Sequence, residues 1–274
     1  MTMEEYLKGN KLYGDDFSPE QIETWYKQEA EAYADLGSKN KEEYSYGYHE
    51  YNNIHGFQKL KHVSTFENAL GLGSAWGFEF EPIIDKIKKI TIIEPSDNMI
   101  SNKIGNVLPK YVKPTVTGEL PFEKDQFDLI TCFGTLHHMP NVTYSIGEMI
   151  RVLKPNGYLL IREPIISMGD WRQPRQGLTR NERGIPIHIF DGIFAKNNVE
   201  VVSKGYCFTM SSYIQRLFGK LFKKPIYSYK GYVLFDKYIS MIFKSNVHYH
   251  PKSKMERLSP QSVFYVIKKR SKTN

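Results

Sequence analysis

The chain reads as an α/β protein on a doubly wound, mainly parallel sheet, and three observations carry that reading. From Phe66 onward, short apolar runs alternate with longer mixed segments, the pattern of strand–helix units. The first run leads into small residues, Ala69-Leu70-Gly71-Leu72-Gly73-Ser74-Ala75-Trp76-Gly77, and the second ends in an acid, Ile92-Ile93-Glu94-Pro95. A chain of 274 residues, 41% hydrophobic and 14% aromatic, can bury a large core, which excludes a disordered polypeptide.

Taken in order, residues 18–36 form an amphipathic helix. Ser18 is its N-cap, Pro19 its first residue and Glu20 its first-turn acid, with Ile22, Trp25, Tyr26, Ala30, Tyr33 and Ala34 at three- and four-residue steps. Residues 42–53, dense in tyrosine, read as an irregular element or a helix start whose rings pack internally or line a cleft. Strands are predicted at Ala69–Leu72, Ile90–Ile93, Phe127–Phe133 and 158–161, with weaker ones at 199–202 and 263–267; helices are predicted at 79–88, 96–107 and 144–153. The last two strands stand about sixty residues apart, far beyond an ordinary connection. Helical spacing at 211–222 and 232–243 fills that gap with a helical insertion. The expected organisation is an N-terminal helical cap (1–60), a core (61–205), a basic aromatic helical insertion (206–258) and a final core strand with tail (259–274).

Charge is unevenly spread. Residues 1–60 carry 6 Lys/Arg and 12 Asp/Glu, residues 61–200 carry 16 of each, and residues 201–274 carry 15 and 2, so the net charge of +7 belongs to the last quarter. Such a segment attracts phosphates, anionic lipid or nucleic acid, or docks on the acidic N-terminal part. Cys132 and Cys207 make neither a disulfide framework nor a metal-ligand spacing. The opening residues lack an apolar core like that of a signal peptide, and no apolar run is long enough to span a bilayer, so a cytoplasmic location is expected.

The small residues at 71–77 let the backbone turn tightly and bring N–H groups close to a ligand. Glu94, seventeen residues after Gly77, falls at the sheet's carboxyl edge, where an acid accepts hydrogen bonds from the ribose hydroxyls of an adenosine ligand. Further on, Glu119-Leu120-Pro121-Phe122, Phe127-Asp128, Leu136-His137-His138-Met139-Pro140 and Arg151-Val152-Leu153-Lys154-Pro155-Asn156-Gly157 follow in one order. This succession resembles the class I S-adenosylmethionine-dependent methyltransferases over roughly residues 66–165. The resemblance implies a Rossmann-like sheet and S-adenosylmethionine as cofactor, released as S-adenosylhomocysteine.

By that resemblance Gly71, Gly73, Ser74, Ala75 and Gly77 lie under the methionine part of the cofactor, and Glu94, Pro95 and Met99 lie at its ribose. Glu119 and Leu120 flank the adenine, with Phe133 and Gly134 beside the cofactor after the fourth strand. Two positions depart from the family pattern: Gly71 stands where an acid usually precedes the first glycine, and Ala75 replaces the middle glycine. The lost carboxylate commonly orients the turn or the methionine ammonium group, so either another residue substitutes or affinity falls, and a cofactor-binding protein without turnover stays open.

Methyl transfer needs an acceptor aligned with the sulfonium methyl, plus a base if the acceptor is a hydroxyl. His137 is the first candidate base and His138 the second; Glu163, after the fifth strand, is a further base or acceptor partner. Arg172, Arg175, Arg180 and Arg183 either clamp a phosphate or carboxylate or are solvated loop charges, and His188 lies on a connection able to cover the site. His248-Tyr249-His250 lacks an evident third ligand, so no metal is assigned. Residues 11–17 and 246–250 resemble flanks of methyltransferases from bacterial surface-polysaccharide assembly, which implies a sugar hydroxyl on a small-molecule or glycan acceptor. Interleaved aromatic and basic residues at 206–272 leave nucleic acid open as an acceptor and a peripheral membrane contact open as a setting.

Overall fold

A short helix, α1 (Met3–Leu7), and a longer one, α2 (Pro19–Leu36), precede α3 (His49–Tyr51), which runs on into a π-helical turn and a 3-10 turn ending at Leu60. Seven strands follow: β1 (Ala69–Leu72), β2 (Ile90–Ile93), β3 (Lys110–Val112), β4 (Phe127–Phe133), β5 (Leu153–Pro164), β6 (Val199–Cys207) and β7 (Ser262–Lys269). Helices α4 (Val142–Val152) and α5 (Ile187–Lys196) connect β4 to β5 and β5 to β6, and α6 (Ser211–Phe218) and α7 (Lys230–Phe243) lie between β6 and β7. In this computed structural model the described residues are 3–36, 41 and 44–271, without the side chains of 30–36. The side-chain expectations for Ala30, Tyr33 and Ala34, and those for Glu42 and Glu43, lie outside them.

The sheet order is β3-β2-β1-β4-β5-β7-β6, with β1 to β5 parallel and β7 antiparallel to both neighbours. This is the Rossmann-like, mainly parallel sheet predicted. The strand order reverses between β1 and β4, and ligands of such sheets bind in the crevice beyond the carboxyl ends at that point. Alternating side chains build two cores. Leu70, Leu72, Ile130, Cys132, Leu159 and Ile161 pack with residues of α4 and α5, whereas Ala69, Ile92, Leu129 and Leu160 pack with Phe57, Leu60 and Phe80. Burial on both faces is why these strands read as continuous apolar runs.

Helix α2 begins with a reciprocal capping box: Gln21 N donates to Ser18 Oγ at 3.4 Å and Ser18 N to Gln21 Oε1 at 2.9 Å. Its Trp25 Nε1 donates to the carbonyl of His138 at 2.7 Å, which ties the helix across the loop after β4. Two predicted helices differ. The segment 79–88 is a 3-10 helix, Phe78–Lys86, with Pro82 inside it, which removes an α-ladder donor. The segment 96–107 holds only the turn Asp97–Met99, capped by Ser96, and a tight turn closed by an Ile104–Val107 bridge with Gly105 at φ 54°. Strand β3, three residues long and partly exposed, has no apolar run to announce it.

Candidate active site

The turn after β1 is held from both sides by buried acids. Gly71 has no side chain because Ser74 fills that space: a Cβ at residue 71 would stand 2.2 Å from Ser74 Oγ. Ser74 Oγ donates to Glu79 Oε1 at 2.9 Å, and the hydroxyl of Thr131 on β4 donates to the same oxygen. A carboxylate therefore does sit beneath the turn, delivered by the 3-10 helix rather than by β1. Glu79 is 4% exposed, and burial pushes its pKa up against the two hydroxyl donors. On the other side Glu94, 2% exposed, accepts from Ala75 N and Ser96 N, both at 3.0 Å. Burial raises its pKa too, opposed by those two N–H groups. Ala75 adopts φ 46°, and the hydroxyl of Tyr111 donates to its carbonyl at 2.9 Å. Gly73, at φ 64°, leaves no room for a side chain, since its Cβ would meet Thr135 Oγ1 at 2.5 Å. Close packing thus joins the glycine turn to the loop after β4.

Beside this turn lies a cleft open to solvent and lined mainly by small and apolar side chains. Leu72 and Gly73 form one wall, Ile93 and Pro95 the end of β2, and residues 114–118 the side beyond β3. Gly134, Thr135 and His138 come from the loop after β4, while Trp25, Tyr26 and Glu29 of α2 cover the opening. His138 Nδ1 stands 3.1 Å from Glu29 Oε2, and Glu29 Oε1 is buried with no hydrogen-bond partner among the described residues. An Nδ1–H donated to that carboxylate makes Nε2 the basic atom of the neutral ring.

His137 has a different environment. Its Nδ1 lies 2.7 Å from Glu163 Oε2 and its Nε2 3.5 Å from Glu182 Oε1. Burial alone would push its pKa down, but the hydrogen bonds and charges of Glu163 and Glu182 outweigh burial and raise it to about 9. A pKa raised this far keeps the ring's proton on it near neutral pH, which sets its surroundings against the sequence-predicted role of base. Glu163 is likewise engaged within the protein. Its carboxylate, 1% exposed, takes Thr135 N and Leu136 N at 2.8 Å on Oε1, and His137 on Oε2. Burial pushes Glu163 up, but His137 and those N–H groups bring it below the ordinary value. Arg183, fully buried, donates to the carbonyls of Tyr13, Leu136 and His137 and lies over the Trp25 ring. Arg175 donates to four backbone carbonyls, and Arg172 pairs with Asp170. Of the four arginines read as either a phosphate clamp or solvated loop charges, Arg175 and Arg183 are engaged with backbone carbonyls, and Arg172 is held in an exposed ion pair.

Of the predicted site residues, Gly73, Pro95, Gly134 and His138 line the cleft, and Gly71, Ser74, Ala75, Gly77 and Glu94 build the turn behind it. Glu119 is exposed and Leu120 is in the core, its N–H bound to Glu148, so the preceding residues 114–118 form the wall instead. Phe133 packs with Phe57 and Phe264, and Met99 is buried behind β2. Sequence reasoning missed Glu29, Glu79, Thr135 and Glu182. Only Glu29 left a signal, four residues after Trp25 on one helix face. His137, His138 and Glu182 offer three metal-type ligand atoms within 4.8 Å of one another, although His137 is already held by two carboxylates.

The family model described as a methyltransferase domain matches residues 70–161, the segment that contains the turn, Glu94 and the loop after β4. Among curated proteins, the ubiquinone/menaquinone biosynthesis C-methyltransferase UbiE of Shewanella pealeana is 32% identical over 94 residues, 31% of this chain and 36% of that protein. The demethylmenaquinone methyltransferase of Staphylococcus haemolyticus is 29% identical over 134 residues, 42% of this chain and 55% of that one. The chain thus spans just over a third of the length of the first of these relatives. Among solved structures, an S-adenosylmethionine-dependent methyltransferase from Mesorhizobium loti aligns with a TM-score of 0.51 at 12% identity, covering 77% of this chain and 94% of that one. A Bacillus halodurans protein aligns with the same TM-score at 16% identity, covering 78% and 98%. Both share the fold.

Proposed function

We propose, from the premise that residues 70–161 are an S-adenosylmethionine-dependent methyltransferase domain, that the whole protein transfers the cofactor's methyl group to a small-molecule acceptor. The observation that carries the reading is the glycine turn, braced by Glu79 and Glu94 and opening into a cleft that α2 covers. Pro95 lines the cleft at the end of β2 and the turn presents its backbone there, which suits an adenosyl ligand, whereas Glu94, buried with both oxygens on backbone N–H groups, braces the turn instead of meeting the ribose directly. When bound, S-adenosylmethionine supplies an electrophilic methyl group on sulfonium.

The chain's own work is alignment, exclusion of water and handling of one proton. Trp25 and Tyr26 shield the cleft, and Glu29 orients His138, which takes the acceptor's proton as methyl transfer proceeds. Glu163, His137 and Arg183 position the loop that carries His138 and touch no reactant. The finer acceptor we propose is a sugar hydroxyl, supported by the chain's flanks and by Tyr26 as a stacking face, without a phosphate grip from Arg175 or Arg183. The names of the curated relatives favour a second acceptor, a quinone-type ring.

Transfer of labelled methyl to a panel of nucleotide-sugars, glycans and quinols tests both. Labelled sugar that disappears in His138→Ala supports the proposal. Label on the quinol alone moves the assignment to the ring, and no transfer with any acceptor despite cofactor binding overturns turnover.

A further inference from the structure

We propose that the α6–α7 insertion is a docking face for an anionic lipid bilayer. Among the described residues, 10 of the 17 exposed large hydrophobic side chains fall within residues 211–243, far more than an eighth of the chain would hold by chance. On α7 the inward face is fixed. Val233 joins a small core with Tyr51, Ile54 and Cys207, Asp236 accepts from Phe208 N and Thr209 N, and Ser240 bonds Thr209. That anchoring leaves Leu234, Tyr238, Met241 and Ile242 outward, at 37%, 64%, 54% and 68% exposure. The α6 end adds Leu217 at 69% and Leu221 at 79%. An apolar surface of this extent on a folded protein marks a contact.

Charge decides the occupant. Residues 211–244 carry seven Lys/Arg and one acid, and that acid, Asp236, is 1% exposed, so all the exposed charge is positive. Beside α6, Tyr213 lines a pocket with His250, Lys252 and Arg257 that extends the basic surface. A second copy of this face would bring like charges together. Nucleic acid would meet the lysines but would leave Leu221, Met241 and Ile242 with nothing apolar to enter. A bilayer with anionic headgroups satisfies both, its acyl boundary taking the apolar side chains and its headgroups the cations. No described helix is long and apolar enough to cross a membrane, and the proposed contact lies on the surface.

Co-sedimentation of the full chain with vesicles of phosphatidylcholine, alone or with about 30% phosphatidylglycerol, tests the proposal. The expected result is at least about tenfold stronger partition onto the anionic vesicles, falling in about 0.5 M salt. The double variant Leu221→Asp/Ile242→Asp should lose about tenfold in partition with an unchanged circular dichroism spectrum; both side chains are exposed, so folding should not suffer. Lys223→Glu/Lys224→Glu should weaken binding to anionic vesicles only. Equal partition onto both vesicle types, none onto either, or wild-type partition of the Asp variant would overturn it. So would a lipid-free dimer abolished by the Asp variant without vesicle binding, or tighter binding to a single-stranded oligonucleotide than to anionic vesicles.

Discussion

His137 and His138 are consecutive, with ring centroids 4.1 Å apart, yet their surroundings assign them opposite work. His137 is flanked by Glu163 and Glu182 in a buried ionic array and holds its proton near neutral pH. His138 lines the cleft with its Nδ1 beside Glu29 and its ring within reach of Glu182. The difference teaches that in this loop direct hydrogen bonding of an imidazole by a buried, loop-bracing carboxylate, rather than its place in the motif, separates a structural cation from a candidate base.

The largest test of that contrast is Glu163→Ala, which removes the acceptor of Thr135 N, Leu136 N and His137 together. Leaving a charged imidazole and two N–H groups unpaired should cost about 3–5 kcal/mol in chemical denaturation, and a loss below about 1 kcal/mol would break the account of the array. Slightly smaller is the pH effect. A His137 pKa raised to about 9 contributes stability that is full below its unfolded value near 6.5 and is lost as pH rises through about 9, in all roughly 3 kcal/mol. The lowered pKa values of Glu163 and Glu182 work the other way, and their share is lost as pH falls through the acid range. The melting-temperature gap between wild type and His137→Gln should therefore narrow from pH 7 to 10; a constant gap would remove the charged array.

For the other half of the contrast, His138→Ala should lower kcat about 100-fold while S-adenosylhomocysteine affinity by calorimetry stays within about twofold. A rate like that of wild type would remove His138 as the base. The smallest effect belongs to Glu29→Gln, expected to lower kcat about tenfold with KM nearly unchanged, because it acts only by orienting His138.

Sequence revealed the parts that backbone geometry dictates. The glycine turn, Glu94 and the central strands were legible because tight turns demand small residues and a doubly covered sheet demands apolar runs. Glu79 was not, since its partners Ser74 and Thr131 lie 5 and 52 residues away and meet it only once β1 and β4 pair. Nor did spacing distinguish His137 from His138, because Glu163, Glu182 and Glu29 arrive from three separate elements. The acid that the family pattern sets before the first glycine is absent from β1, and Glu79 stands beneath the turn instead.

The central claim is that this turn, braced by Glu79 in place of the acid missing at Gly71, seats S-adenosylmethionine. Titrating S-adenosylhomocysteine into wild type and Glu79→Ala by calorimetry tests it most directly. The account predicts clear saturable binding to wild type and about tenfold weaker binding to the variant, a change of about 1.4 kcal/mol. No binding to wild type, or equal affinity in both proteins, would contradict it.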